Sequence, residues 1–279
     1  MKALVVTADD FGLAPEVNAG VELAHTDGIL TAASLMVAGP AAEDAVARAR
    51  RLPSLRVGLH LVLVDGMPVL PPERIPDLVD GDGRLRNDLA RAGLEIFLRP
   101  RARAQVAAEI EAQFAAYRAT GLPLDHVNAH HHFHLHPTVC SQMLRIGRRY
   151  GMSAVRVPRE PARLIARIDR GARPSRLTRL WVTRLASRLR RSGLAAPDRV
   201  FGLAWSGAMT EKRIAGVLQE LPDGLTEIYC HPATSDRFAG AAPGYRYADE
   251  LAALTAPAVK EAYRSATARS GGFADFGRR

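Results

Sequence analysis

Carboxylates and imidazoles fall in four separated places along the chain: Asp9 with Asp10, His60, the tract from His130 to His136, and His231. These side chains supply the oxygen and nitrogen donors that hold a divalent ion while leaving a position open for water. One Asp with two His completes such a set. Each feature also has a plain structural explanation. A lone His in an apolar strand is often a satisfied core residue, and two acids before Phe11-Gly12 suit a turn. The tract is the richest signal, because alternate residues of an extended segment share a face, so His130, His132 and His134 would line one wall. Each buried ring needs partners for its nitrogens, which makes so many imidazoles costly as filler. The alternative is an incidental His-rich, metal-sticky loop.

An alternation of strands and helices must position these groups. Ala3 to Thr7 is an apolar run rich in β-branched residues that leads into Asp9-Asp10, the pattern of a buried strand. Pro15 to Thr26 predicts a helix, Leu30 to Val37 a second strand, Ala41 to Leu52 a helix, and Arg56 to Val64 a third strand around His60. Asp65 to Arg99 is rich in Pro and Gly and reads as a loop excursion. Arg101 to Thr120 follows as a long helix with Val106, Ile110, Phe114 and Tyr117 along one face. A fourth strand starts near Asp125 and enters the His tract, Thr138 to Tyr150 predicts a helix closed by Gly151, and Ala154 to Val157 a fifth strand stopped by Pro158. Phe201 to Ala204 and Thr226 to Cys230 read as strands six and seven, separated by a helix over Glu211 to Leu221.

Repeated strand-then-helix units imply parallel strands with helices outside. The expectation is an α/β, TIM-like (β/α) barrel of about seven parallel strands, one domain over residues 1–279. No Gly-rich phosphate fingerprint follows strand one, which argues against a dinucleotide-binding sheet. In a barrel, chemistry gathers at the C-terminal ends of the strands, and all four clusters fall there. Neighbours on a regular strand point to opposite faces, so Asp9 and Asp10 can share one site only if the chain turns, and Phe11-Gly12 would permit it.

With 279 residues, 47% hydrophobic and 24% charged, the composition is that of a globular protein, which excludes disorder. No run of eighteen apolar residues spans a bilayer, and the first apolar run is too short for a secretory signal, so a cytoplasmic location is expected. Two cysteines, Cys140 and Cys230, make neither a disulfide framework nor a C-x-x-C pair. The net charge of +9 is carried almost wholly by arginine and points to an acidic partner or to a compositional bias. Eleven arginines lie between Arg159 and Arg191, with Leu177, Trp181, Leu185 and Leu189 four apart. This basic helical insertion, at about 159–195, has two readings. It packs its apolar stripe on the barrel, or it lies on an anionic membrane as a peripheral contact.

The segments Thr7-Ala8-Asp9-Asp10-Phe11-Gly12, Gly58-Leu59-His60-Leu61, the His tract and Cys230-His231-Pro232-Ala233 together resemble the YdjC-type carbohydrate deacetylases, which include the chitooligosaccharide deacetylase ChbG. Thr31 to Val37 and Arg56 to Val64 are similar to the hopanoid-biosynthesis-associated subgroup, HpnK. The resemblance implies a seven-stranded, TIM-like barrel and removal of an acetyl group from an N-acetylated sugar, with one divalent metal ion, Mg or Zn. It implies Asp10, His60 and His130 as metal ligands and Asp9 as general base. His231 is then the proton donor to the leaving amine, or else a group that holds Asp9. His132 and His134 are expected to bind substrate or support the ligands. The family often carries an acid where this chain has Asn128, so Asn128 is expected behind the ligands rather than among them. The implied substrate is an acetylated amino sugar on a hopanoid lipid, reached from the cytoplasmic face of the membrane. No nucleic-acid partner is expected, and pairing into a homodimer is left open. Two alternatives stand beside this reading: a metal-dependent hydrolase of another bond such as a phosphoester, and a non-catalytic basic protein that binds membrane or nucleic acid.

Overall fold

The computed structural model describes residues 1–172, 182–183, 185–187, 189, 191–266 and 269–277. Its strands are β1 (Lys2–Phe11), β2 (Ala32–Leu35), β3 (Arg56–Leu61), β4 (Val127–Ala129), β5 (Arg199–Phe201), β6 (Gly224–Cys230) and β7 (Arg269–Ser270). They form one sheet in the order β4-β3-β2-β1-β6-β5, with β7 paired to the first residues of β1, and every pairing is parallel. The helices are α1 (Pro15–Thr26), α2 (Ala42–Arg51), α3 (Leu89–Leu98), α4 (Pro100–Ala119), α5 (Pro137–Gly147), α6 (Ala162–Ile168), α7 (Glu211–Gln219), α8 (Tyr247–Thr255) and α9 (Pro257–Ala266). Leu4, Val5 and Val6 are all fully buried, so β1 is covered on both faces, which is why its sequence is a continuous apolar run and not an alternating one.

The expected fifth strand is present in position but is not a strand of its own. Residues 154–155 make only isolated parallel bridges, Val127 to Val155 and Ala154 to Ala195. Backbone bonds continue on both sides: Arg156 N donates to Val127 O at 3.0 Å, and Val200 N donates to Arg159 O at 3.1 Å. The segment 154–159 therefore spans the gap between β4 and β5 and curls the sheet toward a barrel. One buried apolar cluster extends from Leu4 to Val259.

Three local differences from the sequence reading matter. The excursion after β3 is not all loop, since it contains α3, capped by the Asp88 carboxylate on Arg91 N and ended before Pro100. The His tract is not extended: His130–Leu135 forms a 3-10 helix, with His131 and His132 at φ 51° and 53°. The alternating wall of His130, His132 and His134 is thus replaced by a tight coil, because β4 ends at Ala129. In the basic insertion, Val182, Leu185, Ala186 and Leu189 are buried in the core cluster, which fits the packing alternative, while Leu177 and Trp181 lie outside the described residues. No described helix is long and apolar enough to cross a membrane.

The wall that follows β3 is fastened from behind by α4. Gln105, Glu109 and Gln113 stand four apart on one face of that helix and are all buried. Gln113 exchanges hydrogen bonds with Val62 N and O, Glu109 accepts from Val69 N and Leu70 N, and Gln105 exchanges bonds with Asp77.

Candidate metal centre and active-site pocket

The C-terminal ends of β1, β3, β4 and β6 open on a cavity of about 640 Å³. Asp9 and Asp10 reach it from β1, His60 from β3, His130 from the residue after β4, and His231 from the residue after β6. The two acids share the site through a bulge within the strand, not through a turn at Phe11-Gly12. Pairing with β2 runs Ala8↔Ala33 and then Phe11↔Leu35, so β1 carries one extra residue there, and Asp10 takes φ 62° to absorb it. Among the described residues the non-glycine positions with positive φ are Asp10, Asp65, His131 and His132, and all four line the cavity. Such backbone is disfavoured for a side chain bearing Cβ and persists where the surroundings enforce it, commonly at functional sites.

Asp10 Oδ1 lies 3.2 Å from His60 Nε2 and 3.2 Å from His130 Nδ1, and the two nitrogens are 3.3 Å apart. Three donor atoms thus form a nearly equilateral triangle. Asp10 Oδ1 is buried and has no partner of acceptable hydrogen-bond geometry. Donors about 2.0–2.2 Å from a common ion stand roughly 3.0–3.5 Å from one another, so the triangle has the dimensions of a coordination face. Burial alone would raise the pKa of Asp10, but the neighbouring imidazoles hold it well below the usual carboxylate range. Burial opposes charge on His130 too, yet the Asp10 carboxylate prevails and raises that pKa, so a proton and a divalent ion compete for the same place.

The hydrogen bonds around the triangle fix which atoms face it. Asp9 is buried, and despite the cost of desolvation the Arg156 guanidinium keeps its pKa far below normal, so it only accepts. Asn128 must then turn its amide nitrogen to Asp9 Oδ1, at 2.9 Å, and its oxygen to His60 Nδ1, at 2.7 Å. His60 Nδ1 therefore carries the hydrogen and donates it, and Nε2 presents a bare lone pair to the triangle. Strand register builds this relay, because His60 and Asn128 are direct partners across β3 and β4. Asn128 thus sits behind the ligands, where a carboxylate could not donate to Asp9.

Arg156, Ser34, Glu227 and Tyr229 are site residues that sequence reasoning missed. Arg156 is fully buried and grips Asp9 with two bonds of 2.5 and 2.9 Å, while its Nε and Nη2 bond Glu227 at 2.8 and 2.6 Å. Its guanidinium also lies 4.4 Å from the centre of the Tyr229 ring. Ser34 Oγ donates to Asp9 Oδ1 at 2.9 Å. A lone Arg in the run Ala154-Val155-Arg156-Val157 was the available signal, since a charge in a buried strand needs a partner. Asp9, Asp10 and Glu227 against Arg156 leave a formal charge of −3 + 1 = −2 in a buried cluster, which a divalent cation would neutralise.

The other expected residues divide. His132 lines the cavity and meets the Tyr229 hydroxyl at 3.1 Å, kept neutral by burial and by Arg156. His134 is buried away from the cavity, its pKa pushed down to about 4 by desolvation, with Nε2 on the carbonyl of Arg156 at 3.0 Å. His231 lines the cavity, while its Nδ1 is buried 3.9 Å from Glu250 Oε2, without a hydrogen-bond partner among the described residues. It makes no hydrogen bond to Asp9, which is held instead by Ser34, Asn128 and Arg156. Gly20 on α1 sets the position of the following turn, because a Cβ there would lie 2.6 Å from Ala233 Cα.

Comparison with known proteins agrees with this architecture. The chain is 32% identical over 259 residues to a carbohydrate deacetylase of Geobacillus stearothermophilus, covering 91% of this chain and 90% of that protein. It is 30% identical over 272 residues to a carbohydrate deacetylase of Vibrio vulnificus strain CMCP6, covering 94% and 91%. A third, from Brevibacillus brevis, is 39% identical over 150 residues, and there the match spans only 56% of the relative's length. Among solved structures, an Enterococcus faecalis V583 protein described as a candidate cellobiose-phosphate cleavage protein superposes with TM-score 0.78 at 26% identity, over 99% of both chains. Residues 3–265 match the sequence pattern of one family throughout, and the chain belongs to the YdjC-like proteins.

Proposed function

We propose that the protein is a carbohydrate deacetylase that hydrolyses the acetamido group of an N-acetylated amino sugar, using a divalent ion, Mg or Zn, held by Asp10, His60 and His130. The observation that carries this reading is the triangle of donor atoms 3.2 to 3.3 Å apart around an unsatisfied carboxylate oxygen. When bound, such an ion polarises an amide carbonyl and lowers the pKa of water beside it toward neutrality. Asp9, held ionised by Arg156, accepts the proton of the attacking water, and Ser34 and Asn128 keep its remaining lone pairs oriented. His231, which lines the cavity, hands a proton to the departing amine. A C–O bond forms, the C–N bond breaks, and acetate and the free amine leave.

In this reading the sugar is carried on a hopanoid lipid, as N-acetylglucosaminyl hopanoid, and the enzyme works in the cytoplasm at the inner membrane face. The test is acetate release from N-acetylglucosaminyl lipid and from soluble N-acetyl chitobiose, before and after chelation and after return of Mg or Zn. Phosphate release in place of acetate would favour the alternative of phosphoester hydrolysis. Asp9→Asn should abolish turnover with bound metal nearly unchanged, and full metal loss in that variant would make Asp9 a ligand instead of a base.

A further inference from the structure

After Met1, the large apolar side chains most exposed among the described residues are Leu98, Leu94 and Phe97, at 60%, 59% and 52%. They stand at i, i+3 and i+4 of α3 and so share one face, while Ile96 packs inward. This is a held helix and not a fraying end, because Arg103 donates to the carbonyls of Ile96 and Phe97 and closes its last turn. Leu89, at the start of α3, and Met67 are also exposed and line the cavity, so apolar surface runs from the helix to the mouth of the pocket.

Cations flank this helix. Arg91 and Arg99 pair with Glu95, the single acid of the helix, and Arg101 with Asp77, yet the three arginine side chains remain 65%, 59% and 73% exposed while the two acids are 12% and 23% exposed. The whole chain carries +9. An exposed apolar triplet on a helix flanked by exposed guanidinium groups matches the layering of a bilayer surface, with acyl boundary beneath and phosphate above. A second copy fits less well, since a two-fold contact would bring the same arginines against one another.

We propose that α3 docks the protein on an anionic lipid bilayer, with Leu94, Phe97 and Leu98 entering the interface and the pocket mouth beside it. Docking is read with lipid alone, so its failure is distinguishable from failure of the deacetylation reading. The full chain is tested by co-sedimentation with vesicles of phosphatidylglycerol and phosphatidylethanolamine, and with phosphatidylcholine vesicles. Wild type should bind the anionic vesicles, with binding weakened by salt. The Leu94→Ser, Phe97→Ser, Leu98→Ser variant should bind about tenfold more weakly or worse, and still hydrolyse soluble N-acetyl chitobiose like wild type. As a check independent of that triple change, the emission of Leu94→Trp should move to the blue on anionic vesicles. No vesicle binding by wild type, undiminished binding by the triple variant, or an unmoved emission would each overturn the proposal. Conversion of a dimer to a monomer by the triple variant, with vesicle binding intact, would overturn it in favour of a subunit interface.

Discussion

The two ends of β4 hold the same kinds of side chain in opposite conditions. Just before its first residue, Asp125 meets His126 Nδ1 at 2.9 Å and also accepts from Phe273 N and Ala274 N at 3.0 Å each. The His126 ring stacks on Phe273 with centroids 4.3 Å apart. His126 Nε2 lacks a partner, but among the described residues it belongs to no group of converging metal-type donors. Just after the last residue of β4, His130 joins Asp10 and His60 in a triangle that leaves the carboxylate oxygen unsatisfied beside a cavity. Composition does not separate a brace from a reactive centre. Unspent acceptor capacity, gathered from several strands and facing open space, does.

The largest effect should come from breaking the triangle. His60→Ala or Asp10→Asn should lose bound metal and slow turnover about a thousandfold or more, with a folded far-ultraviolet spectrum retained. Unchanged metal content, measured by elemental analysis, would erase the distinction between the two ends. Next is the relay behind the ligands: Asn128→Ala should weaken metal affinity about 10- to 100-fold, because His60 loses the acceptor that fixes its tautomer. At the brace the effect should move from activity to stability. Asp125→Asn should cost about 1 kcal/mol in urea unfolding and leave kcat intact, since it loosens the C-terminal segment at Phe273 and not the cavity. The smallest effect is its pH dependence. Burial would raise the pKa of Asp125, but His126 and the two backbone amides lower it below the unfolded value. Its contribution is therefore present above the ordinary carboxylate pKa of about 4 and is lost as the pH falls from there through the folded value. Thermal melts should show that acid-side slope flattened in Asp125→Asn, and an identical slope would remove Asp125 from the account.

Much of this was legible because parallel strands write themselves as apolar runs and their C-terminal ends collect the polar residues. Type and position bring Asp9, Asp10, His60, the His tract and His231 to one end of the sheet, and the choice of Asp10, His60 and His130 among them rests on the family resemblance; α1 was legible over the whole of Pro15–Thr26. Asp9 and Asp10 sharing a site could be required but not explained, since a bulge depends on pairing with β2, which one strand's sequence does not carry. Arg156 was hidden for the same reason: its partners, Asp9 and Glu227, lie 147 and 71 residues away. The His tract misled because strand length was inferred from composition, whereas β4 ends at Ala129 and coils. Helix α3 was obscured by Pro and Gly on both sides, although Asp88 and Pro100 mark its limits. The helices α8 and α9 and the short β7 also went unread.

The ladder of Gln105, Glu109 and Gln113 has one more consequence, for traffic through the enzyme. Val62, Val69, Leu70 and Asp77 are clamped through their own main chain to a helix outside the barrel, so that stretch behaves as a door frame and not as a door. Sugars must then come and go past a stationary jamb.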